Sequence, residues 1–227
     1  MQDSQTQKRQ VGLQAQLDSL TIPLSQTQQQ QLAIYRLAVL SWNHKTNLIS
    51  KRDPGQTVSR LIVESVALSR FDLFQKSLSV LDLGSGAGFP GVPLRIARPQ
   101  LSVTLLDSKR MKCLFLRQVA AKFEFENLRV VCDRAEQAGK LSAFQKSFDV
   151  VVSRAVAPLP KLFAWSQPFL KPYGRLVAVK GSDLHEELAA FQLRHPALEV
   201  QIEPLFCTTP QPGKHEIKVV LVGHHLT

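Results

Sequence analysis

Three cysteines in 227 residues are few, and Cys113, Cys132 and Cys207 contain no Cys-x-x-Cys pair. An odd number at wide spacing excludes a disulfide framework and offers no zinc pattern, so a reducing cytoplasm fits this usage and no metal is expected. Cys132, at the end of a β-branched run, reads as a small buried apolar residue. Long apolar runs are missing as well. No stretch approaches the roughly 18 residues of a membrane helix, and the N-terminal MQDSQTQKRQ lacks the charged-then-apolar order of an export signal. A cytoplasmic chain with no membrane partner is expected.

Acidic residues are in deficit: 18 Asp and Glu face 28 Lys and Arg, for a net charge of +10. The excess is local, since Arg95, Arg98, Lys109, Arg110, Lys112 and Arg117 are opposed only by Asp107 between positions 95 and 117. Such a cluster points to a polyanionic partner, with a solvated basic face as the alternative.

The 44% of residues that are apolar suffice for one substantial core. Residues 1–76 read as a helical subdomain. Ser25, with Gln28 three residues on, forms a capping-box pattern ahead of Leu32, Tyr35, Val39 and Trp42 on one helical face. Asp53-Pro54 opens a second helix with the apolar stripe Val58, Leu61, Ile62, Val66 and Leu68. From residue 77 to 227 the texture changes. Strand-like runs at 79–83, 102–107, 128–132, 148–153 and 175–179 alternate with helical ones at 90–98, 109–123, 134–143, 160–169 and 183–193. This is an α/β pattern with a parallel sheet. Two further runs, Leu198–Leu205 and His215–Val222, are joined by FCTTPQPGK, too short for a crossover helix, so the last strand is expected to be antiparallel.

VLDLGSGAGFPGVPL at 80–94 places four glycines in eight residues behind the first strand. In an α/β fold this loop lies at the carboxyl edge of the sheet, where ligands bind. The dinucleotide fingerprint lacks its third glycine, because Phe89 stands there, which disfavours an NAD-dependent oxidoreductase. Asp82 would repel a phosphate but suits an amino group, and Asp107 at the end of the second strand suits the two hydroxyls of a ribose. S-adenosyl-L-methionine has those parts and no phosphate. Asp133 to Glu136, after the third strand, would meet its adenine edge, or would be ordinary acids at a helix start.

The chain resembles the glucose-inhibited division protein B family, RsmG, of small-subunit ribosomal RNA guanine-N7 methyltransferases. The resemblance rests on WNHKTNLIS and RDP at 42–54, LDLGSGAGFPGVPL at 81–94, LLDS at 105–108, FLRQVA at 115–120, SRAVAPL at 153–159 and VKG at 179–181. It implies a Rossmann-like S-adenosylmethionine-dependent methyltransferase fold, with a seven-stranded, mostly parallel sheet and an antiparallel last strand. It also implies cofactor contacts at Gly84, Phe89, Asp107, Ala135, Glu136 and Arg154, with Arg154 at the reacting end. The implied partner is small-subunit ribosomal RNA or an assembling small subunit. Where the family usually has His-x-x-Asp-Ser, this chain reads Leu61-Ile-Val-Glu64-Ser65, and Lys109-Arg110-Met111-Lys112 replaces its Leu-x-Lys-Arg.

The expected chemistry agrees with what is missing near the site. Ser153-Arg154-Ala155-Val156 stands where amine methyltransferases carry Asn/Asp-Pro-Pro-aromatic, and no Pro-Cys pair supplies a pyrimidine nucleophile. Lys180 suggests ribose 2′-O-methylation, but Ser153 occupies the place of its acid partner. Guanine N7 carries a lone pair and no proton, so direct transfer to it needs alignment and no general base. Arg154 suits a guanine O6 or a phosphate, or else a structural ion pair. A non-catalytic RNA-binding assembly module with a degenerate cofactor pocket is the reading from another class.

Overall fold

The computed structural model describes residues 12–46, 48–49, 53–181, 184–205 and 217–223. Helix α1, described over residues 12–18, precedes α2 (Gln26–Thr46) and α3 (Pro54–Ala67). The two predicted caps are formed. Ser25 Oγ accepts from Gln28 N–H at 3.2 Å while Gln28 Oε1 accepts from Ser25 N–H at 2.8 Å, which satisfies orphan donors reciprocally. Asp53 Oδ1 accepts from Gln56 N–H at 3.1 Å, and Pro54 occupies the first turn, where its missing N–H costs nothing. Short 3-10 turns at Leu68–Arg70 and Asp72–Gln75 then lead into the sheet.

The strands are β1 (Ser79–Leu83), β2 (Ser102–Asp107), β3 (Leu128–Cys132), β4 (Phe148–Arg154), β5 (Leu170–Lys180), β6 (Glu199–Pro204) and β7 (Lys218–Gly223). The intervening helices are α4 (Gly91–Ala97), α5 (Arg110–Lys122), α6 (Ala135–Ala138), α7 (Leu159–Ser166) and α8 (His185–Arg194). Sheet order is β3-β2-β1-β4-β5-β7-β6, parallel from β3 through β5, with β7 antiparallel to both of its neighbours. The expected antiparallel last strand is therefore present. It is inserted between β5 and β6, so β6 forms the edge.

Three predicted spans change. β5 begins at Leu170 rather than 175, because Phe148 on β4 pairs with Leu170 across an irregularity in the register. The helix expected over 134–143 is a single turn, Ala135–Ala138. The one expected over 160–169 ends as a 3-10 turn at Gln167–Phe169, where Pro168 cannot donate to an α-helical ladder. The connection FCTTPQPGK, with Cys207, and the His215 end of the last strand run lie outside the described residues.

Central strands are covered on both faces, so their side chains alternate between two apolar clusters. Val150 and Val152 join one with Val177 and Val179, while Val151 joins the other with Leu176 and Ala178. Each such fully buried side chain contributes roughly 1.5–3 kcal/mol. The first cluster includes Leu32, Tyr35, Val39, Val58, Ile62 and Val66 from α2 and α3, so the N-terminal helices roof one face of the sheet. Among the described residues no helix is long and apolar enough to cross a membrane, and no group of three or more His, Cys, Asp or Glu could hold a metal ion.

Candidate functional site

The chain leaves β1, turns to β2 and β3 on one side, and returns to β4 on the other. Strand order therefore reverses between β1 and β4, the place where α/β sheets open a crevice. A cleft of about 690 Å³ lies there, lined by the glycine loop after β1, the ends of β2 and β4, and the start of α6. Gly84, Phe89, Asp107, Ala135, Glu136 and Arg154 all line it.

The glycines divide by task. Gly84 and Gly86 line the cleft. Gly86, at φ +61°, has a left-handed backbone that side chains rarely adopt, and a Cβ there would meet nothing closer than Lys112 Nζ at 3.7 Å. Gly88 serves the protein interior, since a Cβ on it would lie 2.7 Å from Tyr35 Oη and 2.8 Å from Val92. Tyr35, fully buried on α2, donates to Ala87 O at 2.5 Å and so supports the loop from behind. Phe89 packs its ring 5.5 Å from that of Tyr35.

Asp82 corrects an expectation. It does not face a ligand amino group: it is fully buried, absent from the cleft lining, and its Oδ2 accepts from Gly91 N–H at 2.9 Å at the start of α4. Among the described residues its Oδ1 has no hydrogen-bond partner, and burial pushes its carboxyl up to about 7 against the pull of the Gly91 N–H.

Asp107, at the end of β2, is oriented by its own chain. Oδ2 accepts from Gly86 N–H at 2.9 Å and Oδ1 from Lys109 N–H at 2.8 Å, with Lys112 Nζ 3.8 Å from Oδ2. An ionised carboxylate has about four acceptor positions, so each oxygen retains room for a ligand hydroxyl. Asp133, Ala135 and Glu136 form the next wall.

Arg154 ends β4 and lines the cleft, and its Nη1 donates to Glu64 of α3. The ion pair and the cleft position are thus both realised. Ser153, behind it, is fully buried and donates to Leu83 O at 2.8 Å. The following loop presses onto the glycines: a Cβ on Gly84 would lie 2.6 Å from Val156. Lys180 anchors this loop, donating to Ala157 O at 2.7 Å and pairing with Glu187 of α8, which also accepts from Leu159 N–H. Lys180 is absent from the cleft lining, so its place is structural.

The expectation that Cys132 is a buried apolar residue is corrected. Cys132 is exposed, whereas Cys113 is buried beside it and donates to Asp107 O at 3.1 Å. Burial, together with Cys132, pushes the Cys113 thiol up to about 12, so it holds no thiolate near neutral pH.

The basic cluster also divides. Arg95 is buried with its guanidinium 5.0 Å from the Phe125 ring centre, and Arg98 donates to Ser69 O from Nε and Nη2. Lys109, Arg110 and Arg117 are exposed, and Lys109 lines the cleft. Sequence reasoning noted Glu64 only as a departure from the family pattern and missed its pairing with Arg154, although one acid inside the apolar stretch LIVESVAL was a signal. It also missed Lys161 and Trp165, a cleft-lining pair one turn apart on α7 with Nζ 4.9 Å from the ring centre.

Comparison with known proteins adds an independent finding. A family model described as rRNA small subunit methyltransferase G matches residues 28–211. Ribosomal RNA small subunit methyltransferase G of Oceanobacillus iheyensis is 37% identical over 205 residues, covering 89% of this chain and 85% of the relative. The protein of the same name from Staphylococcus aureus strain JH9 is 39% identical over 173 residues, covering 76% and 72%. Among solved structures, the mitomycin 7-O-methyltransferase MmcR aligns at TM-score 0.60 and 15% identity over 82% of this chain and 60% of its own, and a SAM-dependent methyltransferase from Aquifex aeolicus at 0.54 and 18% over 72% and 92%. These two likenesses bear on the fold, which is the Rossmann-like methyltransferase arrangement expected from the sequence.

Proposed function

The chain belongs to the rRNA small subunit methyltransferase G family, and from that membership we propose that it methylates N7 of a guanine in small-subunit ribosomal RNA. S-adenosyl-L-methionine is the cofactor of this methyltransferase family and fold, and when bound it supplies an electrophilic methyl group on a sulfonium. The residues present fit it: a cleft-lining glycine backbone at Gly84 and Gly86, open in front of Gly86, a preoriented Asp107 carboxylate for ribose hydroxyls, and the Ala135-Glu136 edge for adenine.

The observation that carries the guanine-N7 reading is the composition of the other end of the cleft. Ile49, Leu61, Ala155 and Val156 line it with apolar side chains beside Arg154, while Lys161, which lines the cleft from α7, lies with its Nζ over the Trp165 ring. Ser153 is buried and hydrogen-bonded, and Lys180 is held by Glu187. An acceptor that must lose a proton is poorly served there, whereas guanine N7 offers a lone pair without one. Arg154 then donates to the guanine O6 or to a neighbouring phosphate and turns the base toward the methyl group. Because the major groove of an RNA helix is too deep and narrow for side chains, the target guanine should lie in a loop or an opened helix.

7-Methylguanosine is cleaved by borohydride and aniline. Primer extension across small-subunit RNA from cells with and without the protein should therefore show one stop that depends on it, and an Arg154→Ala strain with normal protein levels should lose that stop. Identical patterns in both strains would refute the assignment. Cofactor binding by the purified protein without methyl transfer to any RNA would favour the assembly module instead.

A further inference from the structure

Glu64 lies on α3, outside every position so far connected with the reaction, yet its carboxylate is bound to the end of β4. Its side chain is 2% exposed, and its two oxygens are shared between two arginines: Oε1 accepts from Arg60 Nη1 at 3.0 Å and Oε2 from Arg154 Nη1. Arg60 is largely exposed, with a side-chain exposure of 56%, while Arg154 is at 18%. The remaining donors of Arg154 have no protein partner among the described residues, and the residue lines the cleft together with Leu61 of α3.

A buried carboxylate is a costly way to join a helix to a strand. Its desolvation penalty is several kcal/mol, and an apolar contact of similar volume is often as stabilising. What an ion pair supplies and a methyl contact does not is direction: one carboxylate oxygen fixes one edge of a planar guanidinium, and the free edge is thereby aimed. The two arginines and one acid also leave a net positive charge, so Arg154 remains available to an electronegative acceptor.

We propose that Glu64 is a positioning residue for the methyl-transfer step, holding Arg154 so that its free donors face the acceptor base. The proposal rests on the reading of Arg154 given above. Through Glu64 the N-terminal helices would set the alignment of the acceptor, in addition to covering the sheet.

Glu64→Gln keeps the size and removes the charge, and Arg154→Ala removes the group being held. Methylation of small-subunit RNA by the full chain would be measured for each variant and for the double variant, with S-adenosylhomocysteine affinity and thermal melting alongside. The expected result is a fall in kcat of roughly ten- to hundred-fold in Glu64→Gln, the cost typical of misplacing a reacting group. S-adenosylhomocysteine affinity should be unchanged, and the double variant should be no slower than Arg154→Ala alone. A purely structural role would lower the melting temperature without moving kcat. Wild-type kcat in Glu64→Gln, with Arg154→Ala impaired, would overturn the proposal and leave the Arg154 reading intact. So would a double variant slowed by the product of the single effects. Full activity in Arg154→Ala would overturn both. Should Glu64→Gln fail to fold, Glu64→Met, which replaces the ion pair by an apolar contact of similar volume, serves in its place: lowered kcat in the folded variant supports the proposal and wild-type kcat overturns it.

Discussion

Asp82 shows how a single carboxylate ties the stability of this fold to pH. It is fully buried, one of its oxygens has no partner among the described residues, and burial raises its pKa to about 7 from the ordinary 3.8. A raised acid binds its proton more tightly in the folded than in the unfolded state, so folding is favoured at low pH and the advantage is lost as pH rises from about 4 to about 7. Above that range the cost of the buried charge is fully present, each tenfold difference in proton affinity between the two states being worth about 1.4 kcal/mol. Asp82→Asn keeps an oxygen for the Gly91 N–H and has no charge to bury. At pH 8 it should therefore be more stable than the natural protein by up to a few kcal/mol, with the difference vanishing toward pH 4. Chemical denaturation across that pH range measures the gap. A gap that is constant with pH would show that Asp82 does not titrate on folding.

At the scale of elements, the contact that matters most for the cofactor loop runs from the N-terminal helices to the turn after β1. α2 carries Tyr35 beneath residues 84–88, and its hydroxyl meets Ala87 O while filling the space that a Gly88 side chain would need. Tyr35→Phe removes one buried hydrogen bond and leaves the carbonyl without a protein donor, which should cost about 1–3 kcal/mol. Because that carbonyl belongs to the loop, S-adenosylmethionine affinity should weaken with stability, in a calorimetric titration set beside a thermal melt. Loss of stability with unchanged affinity would show that the loop keeps its shape without Tyr35. The elements themselves were largely legible. Ser25 and Asp53 announced their helices, and β-branched runs marked all seven strands, because capping and burial on two sheet faces leave local patterns. What Tyr35 and Glu64 touch was not legible, since their partners lie 52 and 90 residues away. Asp82 was misread because its position at a strand end says nothing about which way its side chain turns.

Across the whole molecule, the proposed boundary between residues 76 and 77 falls in the link from the last 3-10 turn to β1, yet apolar side chains from both sides share one cluster. The charge is unevenly placed over the surface. Of the six cations grouped by sequence, Arg95 and Arg98 are spent on Phe125 and on Ser69 O, and Lys112 approaches Asp107 inside the cleft. Arg110 and Arg117 remain exposed two turns apart on α5, on one face of the helix, together with Lys109 at its start. Lys109 lines the cleft, so an RNA entering with its target base would lay phosphates from there along the exposed arginines. Each phosphate contact releases a counterion, and the slope of log affinity against log salt should flatten by about one for each arginine removed. Arg110→Ala with Arg117→Ala should therefore flatten the slope by about two and weaken RNA binding at low salt, while leaving kcat at saturating RNA and the melting temperature near their original values. Arg98→Ala should do the reverse, lowering the melting temperature through the lost contacts to Ser69 O while leaving the slope unchanged. Filter binding of small-subunit RNA over a range of salt concentrations distinguishes the two. A slope indifferent to both α5 arginines would place the RNA on another face of the protein.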